Sequence, residues 1–85
     1  MKSFEYTITD PVGLHARPAG LLVKEAKKYT DTILIHKGEK SAEAKKLMAL
    51  MALCILKGET ITVTVEGENE EATASELEAF FKENL

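Results

Sequence analysis

Apolar and polar residues alternate near the start of the chain. Phe4, Tyr6 and Ile8 are interleaved with Glu5 and Thr7, a period of two that predicts a strand with one buried face. Asp10-Pro11-Val12-Gly13 is turn chemistry and ends that strand. From residue 16 to about residue 29 the period changes. Ala19, Leu22, Val23 and Ala26 recur at helical spacing, and Lys24, Glu25, Lys27 and Lys28 fill the opposite side. Residues 32–37, with Ile33 and Ile35 on one face, predict a second strand, and Gly38 a tight connection into a short third strand over 40–43. Residues 44–56 are rich in Leu, Met and Ala, all good helix formers, and Lys57-Gly58 is a helix-ending pair. Over 60–66 Ile61, Val63 and Val65 alternate with threonines, which predicts a fourth strand. The turn at Gly67-Glu68-Asn69 leads into a helix over about 70–84, with Ala74, Leu77 and Phe81 inward. Its acidic first turn suits the positive end of the helix dipole.

The resulting order, βαββαβα, implies an α+β fold of one domain over residues 1–85. Helices between strands, with a hairpin in the middle, predict a four-stranded antiparallel sheet with three helices on one face. The other face would be solvated, which accounts for its Thr, Glu and Lys content. A composition of 45% hydrophobic and 29% charged residues is that of a globular chain. Eleven Lys and Arg against 14 Asp and Glu leave a net charge of −3 with no basic block, which argues against nucleic-acid binding. An RNA-binding sandwich is further disfavoured because the predicted open face lacks stacking aromatics. The single Cys54 excludes an internal disulfide, and His15, His36 and Cys54 have no metal-ligand spacing. A reduced, cytoplasmic setting follows as an expectation. No apolar run reaches membrane-spanning length and the first residues have no signal-peptide pattern, so no membrane insertion is expected.

The segment with chemical content is Gly13-Leu14-His15-Ala16-Arg17-Pro18-Ala19-Gly20. His15 stands where a turn meets the first helix, although histidine is not a favoured N-cap residue. Pro18 lies within the first turn, where a missing N–H costs nothing. The free amides of Ala16 and Arg17 and the positive dipole end form a cradle for an anion, and the Arg17 guanidinium can fork onto phosphate oxygens. An imidazole presents a nitrogen lone pair near neutral pH. A nucleophilic nitrogen beside an oxyanion cradle is what a transient phosphohistidine requires. Carboxylates, which would repel an incoming phosphate, are sparse; Asp10 is the nearest in sequence.

A second feature is the apolar run Leu47-Met48-Ala49-Leu50-Met51-Ala52-Leu53. Leu50 and Leu53 suffice to seat that helix on the sheet, which leaves Leu47, Met48 and Met51 to project elsewhere. Exposed methionine is an adaptable docking surface. The competing reading is that the entire run is core. Cys54 is expected to be a buried small hydrophobe, His36 to point to solvent on the open sheet face, and Lys24, Lys27 and Lys28 to form a solvated helix face able to attract acidic partners.

With these residues in view, the chain resembles the HPr family, the histidine-containing phosphocarriers of the bacterial phosphoenolpyruvate-dependent sugar phosphotransferase system. The likeness spans essentially the whole chain and implies the open-faced β-sandwich. It further implies that His15 accepts a phosphoryl group at Nδ1 from phosphorylated enzyme I and passes it to the IIA components of sugar permeases. Arg17 would stabilise that group. Leu47, Met48 and Met51 would dock partners together with Gly20, Leu21 and Lys24. Such a chain is a carrier rather than an enzyme, needs no cofactor and is expected to be a monomer. The sequence departs from the family where many members carry a regulatory serine: Lys46 stands there, so a kinase switch at that position is expected to be absent. Ala49, Ala52 and Cys54 replace the usual small Gly or Ser residues. These departures leave open a second reading, a regulatory protein-binding module or specialised paralogue without obligatory phosphotransfer.

Overall fold

The alternating positions of the four strands fall into a single register. In the computed structural model, which describes residues 1–85, β1 (Lys2–Thr7), β2 (Thr32–Lys37), β3 (Lys40–Glu43) and β4 (Thr60–Glu66) form one antiparallel sheet in the order β1-β4-β2-β3. Phe4 lies opposite Val63, Val63 opposite Ile35, and Ile35 opposite Ala42, so one apolar row crosses all four strands. One residue along, Ser3, Thr64, Leu34 and Glu43 form the matching row on the other face. Three helices, α1 (Ala16–Ala26), α2 (Leu47–Ala52) and α3 (Glu70–Asn84), cover the apolar face and leave the other open.

Between the layers, α1 contributes Ala19, Leu22 and Ala26, α2 contributes Leu50, and α3 contributes Leu77 and Phe81, all fully buried. Phe81 receives the rings of Phe4 and Tyr6 at centroid distances of 5.6 and 5.5 Å, both close to perpendicular. That edge-to-face geometry suits the aromatic quadrupole. No helix is long and apolar enough to cross a membrane.

Two helix boundaries differ from the sequence expectation. α1 stops at Ala26 rather than near Tyr29. The amides of Lys28 and Tyr29 bond to carbonyls three residues back, on Glu25 and Ala26, which tightens and closes the last turn. The Tyr29 hydroxyl donates to Glu25 Oε2 at 2.8 Å, and burial followed by this bond pushes the phenol well above its ordinary range.

α2 has six residues rather than spanning 44–56. The Ala44 amide donates to the Ile33 carbonyl at 2.9 Å, so residue 44 extends the sheet instead of opening the helix. At the other end, Lys37 of β2 donates from Nζ to the carbonyls of Leu53 (3.0 Å) and Cys54 (2.7 Å). These are helix-end acceptors without intrahelical partners, and the cation also suits the negative dipole end. Cys54 takes the left-handed conformation, with φ of 51°. Its neighbours Leu53 and Ile55 turn into the core while Cys54 is left exposed, which corrects the expectation that it is buried.

On α3, Leu77 and Phe81 are buried and Ala74 packs half-buried against the core, as expected; Thr73 is buried beside them, which was not anticipated. The reason is Asp31, a buried carboxylate in the turn between α1 and β2. Its Oδ1 accepts the Thr73 hydroxyl at 2.7 Å and its Oδ2 accepts the Asn69 amide at 3.1 Å. Lys45 Nζ donates to the Asp31 backbone carbonyl at 3.1 Å. One residue thus ties the start of β2 to the start of α3 and to the approach to α2. Asp31→Ala leaves a buried hydroxyl and a part-buried amide without acceptors and is expected to cost about 2–4 kcal/mol, read from the urea midpoint. Asp31→Asn, which keeps one acceptor oxygen, should cost less. A loss below about 0.5 kcal/mol in the alanine variant would show that these bonds do not hold the two elements together.

Candidate phosphoryl-binding site

The site is set by how the chain passes from β1 to α1. Ile8 is fully buried and exchanges backbone bonds with the α2–β4 connection: its amide donates to Glu59 and its carbonyl accepts from Gly58. The amides of Thr9 and Asp10 both donate to the Leu85 backbone oxygen, at 2.9 and 3.1 Å. Asp10 then organises the turn. Its Oδ1 accepts the Val12 amide at 2.9 Å and its carbonyl accepts the Gly13 amide at 2.9 Å. Such side-chain-to-backbone bonding two residues on is why Asp favours turns. Leu14 is buried and its amide donates to the Ile55 carbonyl at 2.9 Å, which fastens the loop to the segment after α2.

His15 follows as the N-cap of α1, with extended backbone (φ −97°, ψ −171°). Its carbonyl accepts the first helical bond from Ala19 at 2.9 Å, but its side chain makes no capping bond. The imidazole is free of structural duty, and about a third of the side chain (36%) is open to solvent. The amides of Ala16 and Arg17 have no acceptor within the protein, and Pro18 has no amide to offer. Arg17 is exposed and its guanidinium has neither an ion pair nor a hydrogen bond. An accessible nitrogen base, two unpartnered amides, a dipole end and an unengaged guanidinium therefore lie within three consecutive residues. That group can receive a dianion.

One expectation about the surroundings is revised. Asp10 is beside the ring in space as well as near it in sequence, with Oδ1 at 3.8 Å from His15 Nε2. The ring nitrogen paired with the carboxylate is Nε2. The other histidine, His36, sits half-buried on the open sheet face with Nε2 at 3.0 Å from Thr64 Oγ1. No group of three or more His, Cys, Asp or Glu side chains is placed to hold a metal ion.

α1 packs against α2. On these helices Leu21, Leu47, Met48 and Met51 are exposed, Met48 the most at 79%, while Leu50 and Leu53 are buried, as the spacing requires. Lys24 is exposed and Gly20 half-buried. Lys46 is exposed and pairs with Glu43 at 2.9 Å. Two further exposed apolar residues, Val12 (65%) and Leu56 (60%), were not anticipated. Val12 is an aliphatic residue inside a turn, a signal the sequence did contain, whereas Leu56 ends an apolar run and gave none. Behind Leu56, Glu59 Oε1 accepts the Leu56 amide at 2.6 Å and pairs with Lys37 at 3.1 Å. The amide first, and the ammonium second, hold the Glu59 carboxyl below its usual range.

The arrangement can be set beside known proteins. Residues 2–83 match the family model described as the PTS HPr component phosphorylation site. The phosphocarrier protein HPr of Lysinibacillus sphaericus is 36% identical over 83 residues, covering 98% of this chain and 94% of that one. The crystal structure of HPr from Thermoanaerobacter tengcongensis superposes with a TM-score of 0.92 at 33% identity, covering 99% of this chain and 94% of that one. A crystal structure of the catabolite-repression protein Crh of Bacillus subtilis, a dimer formed by domain swapping, superposes with a TM-score of 0.77 at 33% identity, covering 100% of this chain and 98% of that one. By family model, by curated relatives and by an open-faced α+β sandwich shared with solved HPr structures, this chain belongs to the HPr family of phosphocarrier proteins.

Proposed function

We propose that the chain relays a phosphoryl group on His15, accepting it from phosphorylated enzyme I and passing it to sugar-specific IIA domains. The observation that carries this reading is the accessible His15 ring at the N-cap of α1, beside the unpartnered amides of Ala16 and Arg17. In the forward step the Nδ1 lone pair attacks phosphorus, the N–P bond of the donor breaks, and the donor nitrogen keeps that electron pair. The phosphoryl oxygens are met by the two amides and by Arg17. These contacts are shallow and solvated, which suits a carrier that must release its cargo as readily as it takes it. Leu47, Met48 and Met51, with Gly20, Leu21 and Lys24, supply the surface on which enzyme I and IIA domains dock in turn. Lys46 offers no hydroxyl, so phosphorylation at that position cannot regulate the relay. Every residue of the site comes from one copy, and the carrier works as a monomer.

Incubation with phosphoenolpyruvate and enzyme I is expected to add one acid-labile phosphoryl group, read by intact mass. A chain that gains no mass would overturn the reading. Arg17→Ala should fold normally, because the exposed guanidinium makes no hydrogen bond or ion pair in the protein, and should transfer about tenfold to a hundredfold more slowly in a stopped-time assay. An unchanged rate would remove Arg17 from the mechanism.

The likeness to Crh supports a second reading, a regulatory binding module on the same scaffold. It predicts that partner binding and biological output persist in a His15→Ala chain, whereas the carrier reading predicts that output is lost.

A further inference from the structure

We propose that Asp10 is a positioning residue for the phosphoryl chemistry, holding the ring proton of His15 on Nε2 so that Nδ1 is the nitrogen that bonds phosphorus. This deepens the phosphocarrier reading and rests on it.

The backbone, not the histidine, puts the Asp10 carboxylate where it is. The Asp10 amide is tied to the Leu85 oxygen, its carbonyl to the Gly13 amide, and its Oδ1 to the Val12 amide. That same oxygen lies 3.8 Å from His15 Nε2, longer than a hydrogen bond but within ion-pairing range. The Asp10 side chain is only 19% exposed, so solvent screens it less than a surface carboxylate. No other carboxylate comes within 4.0 Å of the ring. Other charged groups carried by elements that adjoin the loop include Arg17 on α1, Lys57 and Glu59 on the α2–β4 connection, Lys82 and Glu83 near the end of α3, and the carboxylate of Leu85, one oxygen of which accepts the Asp10 amide. Of these, Glu59 is committed to the Leu56 amide and Lys37.

A neutral imidazole carries its proton on one nitrogen and its lone pair on the other, and the neighbouring group decides which. A carboxylate beside Nε2 favours the Nε2–H tautomer and leaves the lone pair on Nδ1. When Nδ1 attacks, the new Nδ1–P bond leaves the ring with a positive charge and the proton still on Nε2, against Asp10. On release the Nδ1–P bond breaks and its electron pair returns to Nδ1. The ring then departs as neutral imidazole because Nε2 has kept its proton. Had Nε2 lost it, the departing group would be an imidazolate, a far poorer leaving group. No proton enters or leaves in either direction. The carboxylate repels phosphate least in this arrangement, since the phosphoryl group sits on the nitrogen it does not face.

Asp10→Asn is the discriminating variant, because its amide oxygen still accepts from Val12 while the charge is gone. With 15N-labelled histidine, NMR of the unphosphorylated chain should show the Nε2–H tautomer dominant in the parent and a more even mixture in the variant. After loading with phosphoenolpyruvate and enzyme I, onward transfer should fall behind the parent in the variant as the pH is raised, because no charge then holds the proton on Nε2. At pH 6 the two rates should agree. A uniform slowing at every pH, or identical tautomer ratios and pH profiles, would overturn the proposal. A parent chain that takes no phosphoryl group sinks the phosphocarrier reading instead, while the tautomer ratio still decides the role of Asp10.

Discussion

His15→Ala is expected to accept no phosphoryl group from enzyme I at any concentration of phosphoenolpyruvate, while its melting temperature stays within a few degrees of the parent. Both halves follow from the same geometry. The His15 side chain makes no capping bond and is not part of the buried core, so its removal breaks no hydrogen bond of the fold and is expected to cost about 1 kcal/mol or less. The helix still starts there, because the bond from Ala19 reaches the His15 backbone carbonyl, which alanine retains. What is lost is the only imidazole with an oxyanion cradle. His36 cannot take over: it is half-buried on the opposite, open side of the sheet, is hydrogen-bonded to Thr64, and has no helix terminus beside it. Intact mass after incubation should show no labile adduct, a loss of at least about three orders of magnitude in loading rate given that no other nucleophile is activated. Label appearing on His36 in the variant would show that the helix-start cradle is not what selects the nucleophile.

How much of this was legible beforehand depends on whether a feature is local. The strands were legible because a half-buried sheet writes its period of two directly into the chain, as Ile61, Val63 and Val65 do. The split of α2 into buried Leu50 and Leu53 and exposed Leu47, Met48 and Met51 was one of two readings the sequence left open, and the structure decides for it over an entirely buried run. The geometry at His15 and Arg17 was legible for a similar reason: the motif, the missing cap and the helix start all lie within a few residues. What escaped was set by partners distant in sequence. Residues 44–56 look like one helix by composition, yet Ala44 is drawn into the sheet by Ile33 and the other end is closed by Lys37. Cys54 looked like core because its neighbours are apolar. Its left-handed backbone is a property of the turn, not of the residue type. Asp31 gave no signal at all, since its partners Asn69 and Thr73 lie about forty residues away. The Asp10 carboxylate was noticed by its nearness in sequence, but only the folded turn brings it to one particular nitrogen of the ring.

The largest structural effect is expected from one methyl group, in Gly13→Ala. Gly13 has φ of +80°, a conformation side chains rarely adopt, and it lies directly against the segment after α2. A Cβ there would stand 2.5 Å from the Ile55 carbonyl oxygen and 2.8 Å from the Leu56 Cα. Both are backbone atoms, so no side chain can swing aside. The Ile55 oxygen is also the acceptor for the Leu14 amide, and the Gly13 carbonyl accepts from the His15 amide. Relieving the overlap therefore means breaking the bond that fastens the loop and tilting His15, the proposed phosphoryl acceptor. The left-handed backbone costs about 1–2 kcal/mol and the overlap about 1–3 more. Together these predict a loss of about 2–5 kcal/mol and a fall in Tm of roughly 10–30 °C for a domain this size. The two contributions can be separated within the same molecule. Gly38 in the β2–β3 turn also has positive φ, at +59°, but a Cβ there would meet nothing within 4 Å. Gly38→Ala should therefore show the backbone cost alone, about 1–2 kcal/mol, with phosphoryl loading unchanged. Gly13→Ala should exceed it and slow loading even at temperatures where the chain is fully folded. Equal losses in the two variants, with equal loading rates, would show that the loop moves away from Ile55 freely and that its fastening does not position His15.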